Sequence, residues 1–362
     1  GSRRQIGLVN LGNTCFMNSI LQCLGSTLPL LDYFHSNRYQ NDLSGCSNDN
    51  HRKFVEEFGN VMKIFRDGPD NRILDTSLLK SLFARSATKF SGFNQEDASE
   101  YFTFLQQILH ESLNSQTTSH QNHQNFENLN ANPSLLVKRA AVSPQTSFLS
   151  ELFRGQTKNI VTCLNCRHQS TTLQPSWAIM TEIPEHRTNL SLLECMKSFF
   201  RKEELSKSNA YSCNNCHTRG SATKQMFIHT FPKVLVVILK RFGNSNGSFQ
   251  KKEDFVSFPT NCDDFSRFGA DPHHSVGYDL YAVSNHHGSS LGGGHFTADM
   301  KMSDGNWWNA SDLSWTCLGK RSGFSSGGAY LLFFKKRRSQ AQIAPHIYPT
   351  LQRCIDNGVS RS

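Results

Sequence analysis

The sequence predicts a mixed α+β chain in which helices come first and strands follow. Three observations carry this reading. Up to about residue 113 the apolar residues recur at helical spacing, beyond residue 148 they gather into short β-branched and aromatic runs, and the strand-rich part holds two Cys-x-x-Cys pairs. With 362 residues, 37% hydrophobic and 27 of them phenylalanine, the chain is long enough to bury a sizeable core in one large domain or two ordinary ones.

The first element is a polar turn, Asn10-Leu11-Gly12-Asn13-Thr14-Cys15, that runs directly into a helix carrying Phe16, Met17, Ile20, Leu21 and Leu24 on its apolar side. Asn13 and Thr14 are residue types that cap a helix start, which places Cys15 at or beside the N-terminus. There the unpaired amides favour thiolate over thiol, and a weak nucleophile gains strength. A lone cysteine in such a place is more often a small buried hydrophobe. After the Leu28-Pro29 break come a second short helix and a polar loop over 41–50. A helix with the stripe Phe54, Val55, Phe58, Val61, Met62 and Phe65 follows and ends at Gly68-Pro69. Another is expected over 75–83, and Asn94 introduces a longer one from Gln95 to about Leu113. Asp97 and Glu100, three apart, share a face of its first turn, where carboxylates also complement the helix dipole. From 115 to about 132 the chain is rich in Asn, Gln, Ser, Thr and His and too polar to order itself, and 115–146 reads as an insertion. His120 and His123 within it are read as solvent-exposed rather than metal-ligating.

Strands are expected at 177–180, 224–231, 234–239, 255–258, 278–284 and 329–334, with a short amphipathic helix over 190–200. Cys163 with Cys166 and Cys213 with Cys216 form two knuckles, each able to place two thiolates on one metal. Four thiolates make a closed, structural tetrahedral zinc site with no open position for chemistry, and a redox pair needs only one such motif. The pairs are far apart in sequence, so one zinc would tie together two distant hairpins.

Composition limits the remaining possibilities. Eleven cysteines is an odd count in a long chain and fits a reducing compartment better than a disulfide scaffold. No run approaches a membrane span and the N-terminus lacks a signal-peptide core, so the reading is intracellular, cytoplasmic or nuclear. The net charge of +9 is scattered, and its densest run, Lys335-Lys336-Arg337-Arg338, reads as a solvated tail or localisation signal rather than a nucleic-acid site.

The stretch from Asn10 to Leu24 closely resembles the cysteine box of the ubiquitin-specific protease family, deubiquitinating enzymes with a papain-like cysteine protease fold. Residues 94–102 are similar to the family's glutamine- and aspartate-rich box, and Gly292-Gly293-Gly294-His295-Phe296-Thr297-Ala298 resembles its histidine box. Residues 329–334 match its closing strand. The resemblance covers about 6–336 and implies a helical thumb (about 5–114), the insertion, zinc-bound fingers with a β-rich palm (about 147–336), and a basic tail over 337–362. It implies Cys15 as nucleophile, Asn10 as oxyanion-hole donor and His295 as general base, with His286 and His287 as runners-up. Asp97 and Glu100 would receive arginines of the ubiquitin tail, and Cys163, Cys166, Cys213 and Cys216 would hold one zinc.

Two positions depart from the family pattern. The residue that should orient the histidine aligns with Ser311, which accepts a hydrogen bond but cannot offset imidazolium charge. Asp312, next door, is expected to supply that charge if it reaches the ring, so the third catalytic member is Ser311 or Asp312. Asp299 stands where an aromatic residue is usual. The implied reaction is hydrolysis after the C-terminal Gly-Gly of ubiquitin through a thioester, by a monomer whose partners are ubiquitin and ubiquitinated proteins. The rivals are a ubiquitin-binding module that has lost activity and, more weakly, a zinc-ribbon nucleic-acid binder.

Overall fold

The computed structural model describes residues 3–114, 146–184, 190–245, 248–263, 265–271, 275–290 and 292–337. The polar insertion, apart from Thr146, with His120 and His123, and the tail beyond 337 lie outside them. Six helices come first: α1 (Cys15–Leu24), α2 (Leu28–His35), α3 (Arg38–Leu43), α4 (Asp49–Asp67), α5 (Ser77–Ser86) and α6 (Ala98–Ser112). None of the described helices is long and apolar enough to cross a membrane.

Several boundaries differ from the sequence reading, each for a local reason. The loop expected over 41–50 shrinks to 44–48, because Asn37 turns the chain into α3 with a left-handed backbone (φ 58°) and Asn48 caps α4 by accepting the His51 N–H. The long helix starts at Ala98 rather than Gln95, since the Asp97 carboxylate accepts the N–H groups of Ser99 and Glu100 and so serves as N-cap. At α1, neither expected cap acts through its side chain on the helix. The N-cap is Thr14, whose Oγ1 instead accepts the Leu11 N–H at 2.9 Å and tightens the turn.

An eight-stranded sheet supports these helices. Its path runs Ser314–Gly319, Trp307–Ser311, Gly293–Lys301, Tyr278–Ser290, Ala329–Lys336, Val234–Lys240, Ile179–Glu182, with Asn261–Cys262 also paired to Tyr278–Ser290. All pairs are antiparallel except the last on the path. Strand alternation divides the protein into two apolar layers. Val234, Val236 and Ile238 join the helices in one core, while Leu235, Val237 and Leu239 face a second core with the helix Leu192–Phe199.

Between the helical part and this sheet the chain builds a four-stranded sheet, in the order Gln169–Ser176, Gly155–Cys163, Ala222–Thr230, Glu203–Leu205. The register Ala222↔Cys163 brings the two cysteine pairs to one end of it.

All ten residues of α1 are buried. Its polar residues find partners inside. Ser19 Oγ lies 2.9 Å from Ser284 Oγ on the sheet, and Gln22 Nε2 donates to the Ile6 carbonyl at 2.8 Å. The helix packs on both the strand Gly293–Lys301 and α6.

Arg241, at the end of the strand Val234–Lys240, is fully buried and ties the palm together. Its guanidinium donates to the carbonyls of Ala329, Lys252, Asp254 and Ser326 at 2.6–2.9 Å. Methionine would fill the volume but leave four carbonyls unpaired, so Arg241→Met is expected to destabilise the fold by about 2–4 kcal/mol. Urea unfolding reads this as a lower midpoint at unchanged slope; a shift within the range of surface substitutions would show that those carbonyls find other donors.

Candidate active site and metal centre

The turn before α1 is held by one amide. Asn10 Oδ1 accepts the N–H groups of Gly12 and Thr14, both at 3.1 Å, which fixes the side chain and leaves its Nδ2 facing away from the turn. Gly12 has φ +89° and a Cβ there would lie 3.2 Å from the Phe93 ring, so the position suits glycine on both counts. Asn13, also left-handed at φ 56°, donates to the Phe93 carbonyl at 2.8 Å.

Cys15 is the first residue of α1 and only 2% exposed. Burial pushes its thiol pKa above the ordinary value, against the pull of a backbone hydrogen bond from Phe296 and of Gln95, whose Nε2 donates to Sγ at 3.2 Å. This corrects the expectation that the helix start makes Cys15 a ready thiolate. Desolvation wins over the amide dipoles, so a base is needed to take the proton.

His295 stands near the start of the strand Gly293–Lys301, and Phe296, its neighbour, reaches Cys15. Its Nε2 is 2.8 Å from Ser311 Oγ, on a strand that pairs directly with its own. Among the described residues no hydrogen bond joins His295 to Cys15. Gly294 lets the strands close here: a Cβ would sit 2.5 Å from the His287 carbonyl and 2.6 Å from His286 Nε2. The two runners-up are placed differently. His286 is fully buried with Phe242 and Phe296 rings 5.0 and 4.8 Å away, and burial pushes its pKa down to about 4. His287 Nε2 meets Thr297 Oγ1 at 3.0 Å.

Asp312 does not meet the His295 ring, and this corrects the expectation that it might supply the missing charge there. The strand ends at Ser311, and Asp312 turns away in a left-handed conformation, φ 50°. Its two oxygens go elsewhere: Oδ2 accepts Asn10 Nδ2 at 2.9 Å and Oδ1 accepts Asn18 Nδ2 at 2.7 Å. Ser311 holds the ring; Asp312 holds Asn10. Asp299, the other departure, is satisfied by Asn285 and Asn309, whose amides donate at 2.9 and 2.6 Å.

The acidic pair is also rearranged. Asp97 is 6% exposed, and beyond capping α6 it accepts the Tyr330 hydroxyl at 2.6 Å. It therefore does not share an open helix face with Glu100. The carboxylate of Glu100 pairs with Lys89, and Glu96 lies 3.6 Å from the same ammonium; these two, not Asp97, offer acidic surface.

The four knuckle cysteines converge, all sulfurs lying within 4.8 Å of one another. Each knuckle makes the same pair of backbone bonds: Cys163 N–H to His168 O with Arg167 N–H to Cys163 O, and Cys213 N–H to Thr218 O with His217 N–H to Cys213 O, at 2.9–3.0 Å. Sulfurs 2.3 Å from a tetrahedral zinc are about 3.8 Å apart. Cys163 and Cys216 are 3.9 Å apart and Cys166 and Cys213 3.6 Å, which fits metal coordination and is far outside disulfide length.

Compared with known proteins, residues 6–334 match the family model described as ubiquitin carboxyl-terminal hydrolase. The chain belongs to this family. Ubiquitin carboxyl-terminal hydrolase 2 of Homo sapiens is 36% identical over 335 residues, covering 91% of this chain and 54% of that protein. The protein of the same name in Gallus gallus is 35% identical over 334 residues, covering 91% and 92%. Among solved structures, the SAGA DUB module of Ubp8, Sgf11, Sus1 and Sgf73 bound to monoubiquitin is similar, with TM-score 0.73 and 26% identity over 92% of this chain and 69% of that one. The chain spans about half the length of the human relative.

In this member of the family, the sequence does not show Gln95, Asn18 and the backbone of Phe296 as contacts of the site. Gln95 was visible in the acidic box, but nothing in its spacing from Cys15 showed that it bonds the sulfur. Because its amide stabilises thiolate over thiol, Gln95→Ala is expected to raise the Cys15 pKa further and slow iodoacetamide alkylation at neutral pH. A pH profile of alkylation checks the sign: the variant's curve should lie at higher pH, and a shift to lower pH would show that Gln95 stabilises the thiol instead.

Proposed function

We propose that this chain is a thiol-dependent deubiquitinase that hydrolyses the bond after the C-terminal Gly-Gly of ubiquitin. The observation that carries it is the contact between two elements: α1, which begins at Cys15, packs on the strand that bears His295. In the proposed reaction His295 takes the Cys15 proton and the thiolate attacks the glycine carbonyl carbon. Asn10 Nδ2 and backbone amides at the start of α1 hold the resulting oxyanion. The intermediate collapses to a thioester as His295 returns the proton to the leaving amine. Water, deprotonated by the same imidazole, then releases the carboxylate and restores the thiol. Ser311 orients the ring as positioning residue, and the missing Cys15–His295 bond forms when substrate is seated, as catalytic bonds commonly do.

Ubiquitin is the proposed partner, in line with relatives whose structures are described as bound to ubiquitin or ubiquitin aldehyde. Glu96 and Glu100 are proposed to receive its basic tail, with Asp97 acting as the cap that shapes their turn. The reading assumes a monomer acting inside the cell with no nucleic-acid ligand. A catalytically weak ubiquitin-binding module remains the second reading, favoured by the neutral Ser311 behind His295.

Turnover of a ubiquitin-based fluorogenic substrate decides between them. Cys15→Ala should abolish it, and Asn10→Ala should lower kcat on the order of 10² to 10³-fold with little change in KM. Asp312→Ala should also lower kcat, but the Asn10→Ala/Asp312→Ala pair should be no worse than Asn10→Ala alone, since Asp312 acts through that amide. Turnover by Cys15→Ala would sink the assignment, and additive losses in the pair would give Asp312 a separate role.

We further infer that Cys163, Cys166, Cys213 and Cys216 hold one structural zinc, which would cross-link the two knuckles and take no part in the reaction. Elemental analysis of protein purified without chelator should find one zinc per chain, and Cys163→Ser should lose it while Cys15 still alkylates. Wild-type protein without zinc would overturn this reading.

A further inference from the structure

At the end of α1 opposite Cys15 lies a cavity of about 330 Å³. It opens between the turn that follows α1, represented by Thr27 and Leu28, and the end of the His295 strand at Lys301, with Tyr281 beneath. This is at the lower end of the few hundred to about 1,000 Å³ of small-ligand sites. The lining includes the cations Arg3, Lys301 and Lys335 and no acidic residue.

Arg3 is the unusual member. It is 5% exposed, with the rings of Phe65 and Trp315 4.8 and 5.1 Å from its guanidinium carbon. Its side chain donates to the carbonyls of Arg4 and Gln22, to Ser26 Oγ, to Met300 Sδ and to Gln22 Oε1, all of them uncharged acceptors. Among the described residues no carboxylate pairs with it. Burial lowers its pKa to about 9, the mark of a charge without a counter-ion. Lys301 and Lys335 are exposed at the rim, and neither forms an ion pair among the described residues. Leu28, Pro29, Val234 and Met302 give the walls their apolar character.

We propose that this cavity binds a small amphipathic anion, an apolar body carrying one carboxylate, and that its occupancy is coupled to Cys15. The apolar body lies on Leu28 and Val234; the carboxylate faces the rim lysines with Arg3 behind them. Coupling follows from position. α1 and the strand Gly293–Lys301 pack side by side and carry Cys15 and His295 near their first residues; the strand reaches the cavity with its last residue, Lys301, and α1 through the turn that follows it, at Ser26 and Thr27. Ten helical residues span about 15 Å, so a ligand at the far end sets how the two elements lie against each other without touching the chemistry.

Equilibrium dialysis with labelled octanoate tests the site, with octanol as neutral control and Lys301→Glu/Lys335→Glu as the charge-reversed variant. One octanoate per chain is expected, octanol should bind more weakly, and the variant should bind octanoate about tenfold or more weakly. In parallel, octanoate should change the rate at which iodoacetamide alkylates Cys15 in wild type and not in the variant, read by mass spectrometry of the Cys15 peptide. No octanoate binding, equal binding of octanol, or undiminished binding by the variant overturns the anion site; an unchanged alkylation rate overturns the coupling. Neither readout needs ubiquitin hydrolysis, so failure here is distinguishable from failure of the proposed activity.

Discussion

The site depends on the complete burial of α1. A helix enclosed between α6 and the strand Gly293–Lys301 cannot slide or rotate without opening both apolar and polar contacts, because Ser19 and Gln22 are tied to Ser284 and Ile6 across the interface. That fixes its first residue. Cys15 is thus positioned by packing over three turns as well as by the hydrogen-bonded turn before it, and a reactive side chain requires such rigid mounting. The cost of enclosure is electrostatic: the burial that positions the sulfur also raises its pKa, and the hydrogen bonds from Gln95 and Phe296 recover only part of the loss.

The polar groups around Cys15 divide into two sets that share no member. Ser311 and His295 lie on paired strands of the sheet, whereas Asp312, Asn10 and Asn18 join the hairpin beyond those strands to the turn before α1. One chain position separates Ser311 from Asp312, yet the left-handed turn at Asp312 sends their side chains to different tasks. A carboxylate close to the site thereby orients a neutral donor instead of stabilising imidazolium.

Much of this was legible in the sequence, and what was not has a common cause. Helical periodicity located α4, and the apolar run 234–239 located a central strand, because both elements present a regular face to a core. The cysteine pairs and the residues carrying Cys15 and His295 were visible as motifs. The misses were contacts made across the fold. The expected helix start at Gln95 failed because Asp97 caps two residues later and also meets Tyr330, more than two hundred positions away. The choice between Ser311 and Asp312 stayed open because adjacency in sequence says nothing about which way a hairpin turn directs a side chain. The buried Arg3 was invisible as a site residue, since its surroundings come from Gln22, Phe65, Met300 and Trp315 together.

The four-stranded sheet that bears the knuckles follows a different rule from the rest of the chain. Its strands show few buried side chains: in Gln169–Ser176 none is buried, and in Gly155–Cys163 only the first, third and last positions are. Such a sheet has too little apolar area to hold its tip by burial alone. What it has instead is two knuckles with the same hydrogen bonds, joined by the Leu164 N–H donating to Ser221 O at 3.0 Å, and four sulfurs at the spacing of a single tetrahedral ion. A metal held there would stabilise by cross-linking, which needs no core and leaves both faces of the sheet available to a partner. The four-stranded sheet thus keeps a largely exposed surface, while α1 is held by apolar burial in the core it shares with the other helices.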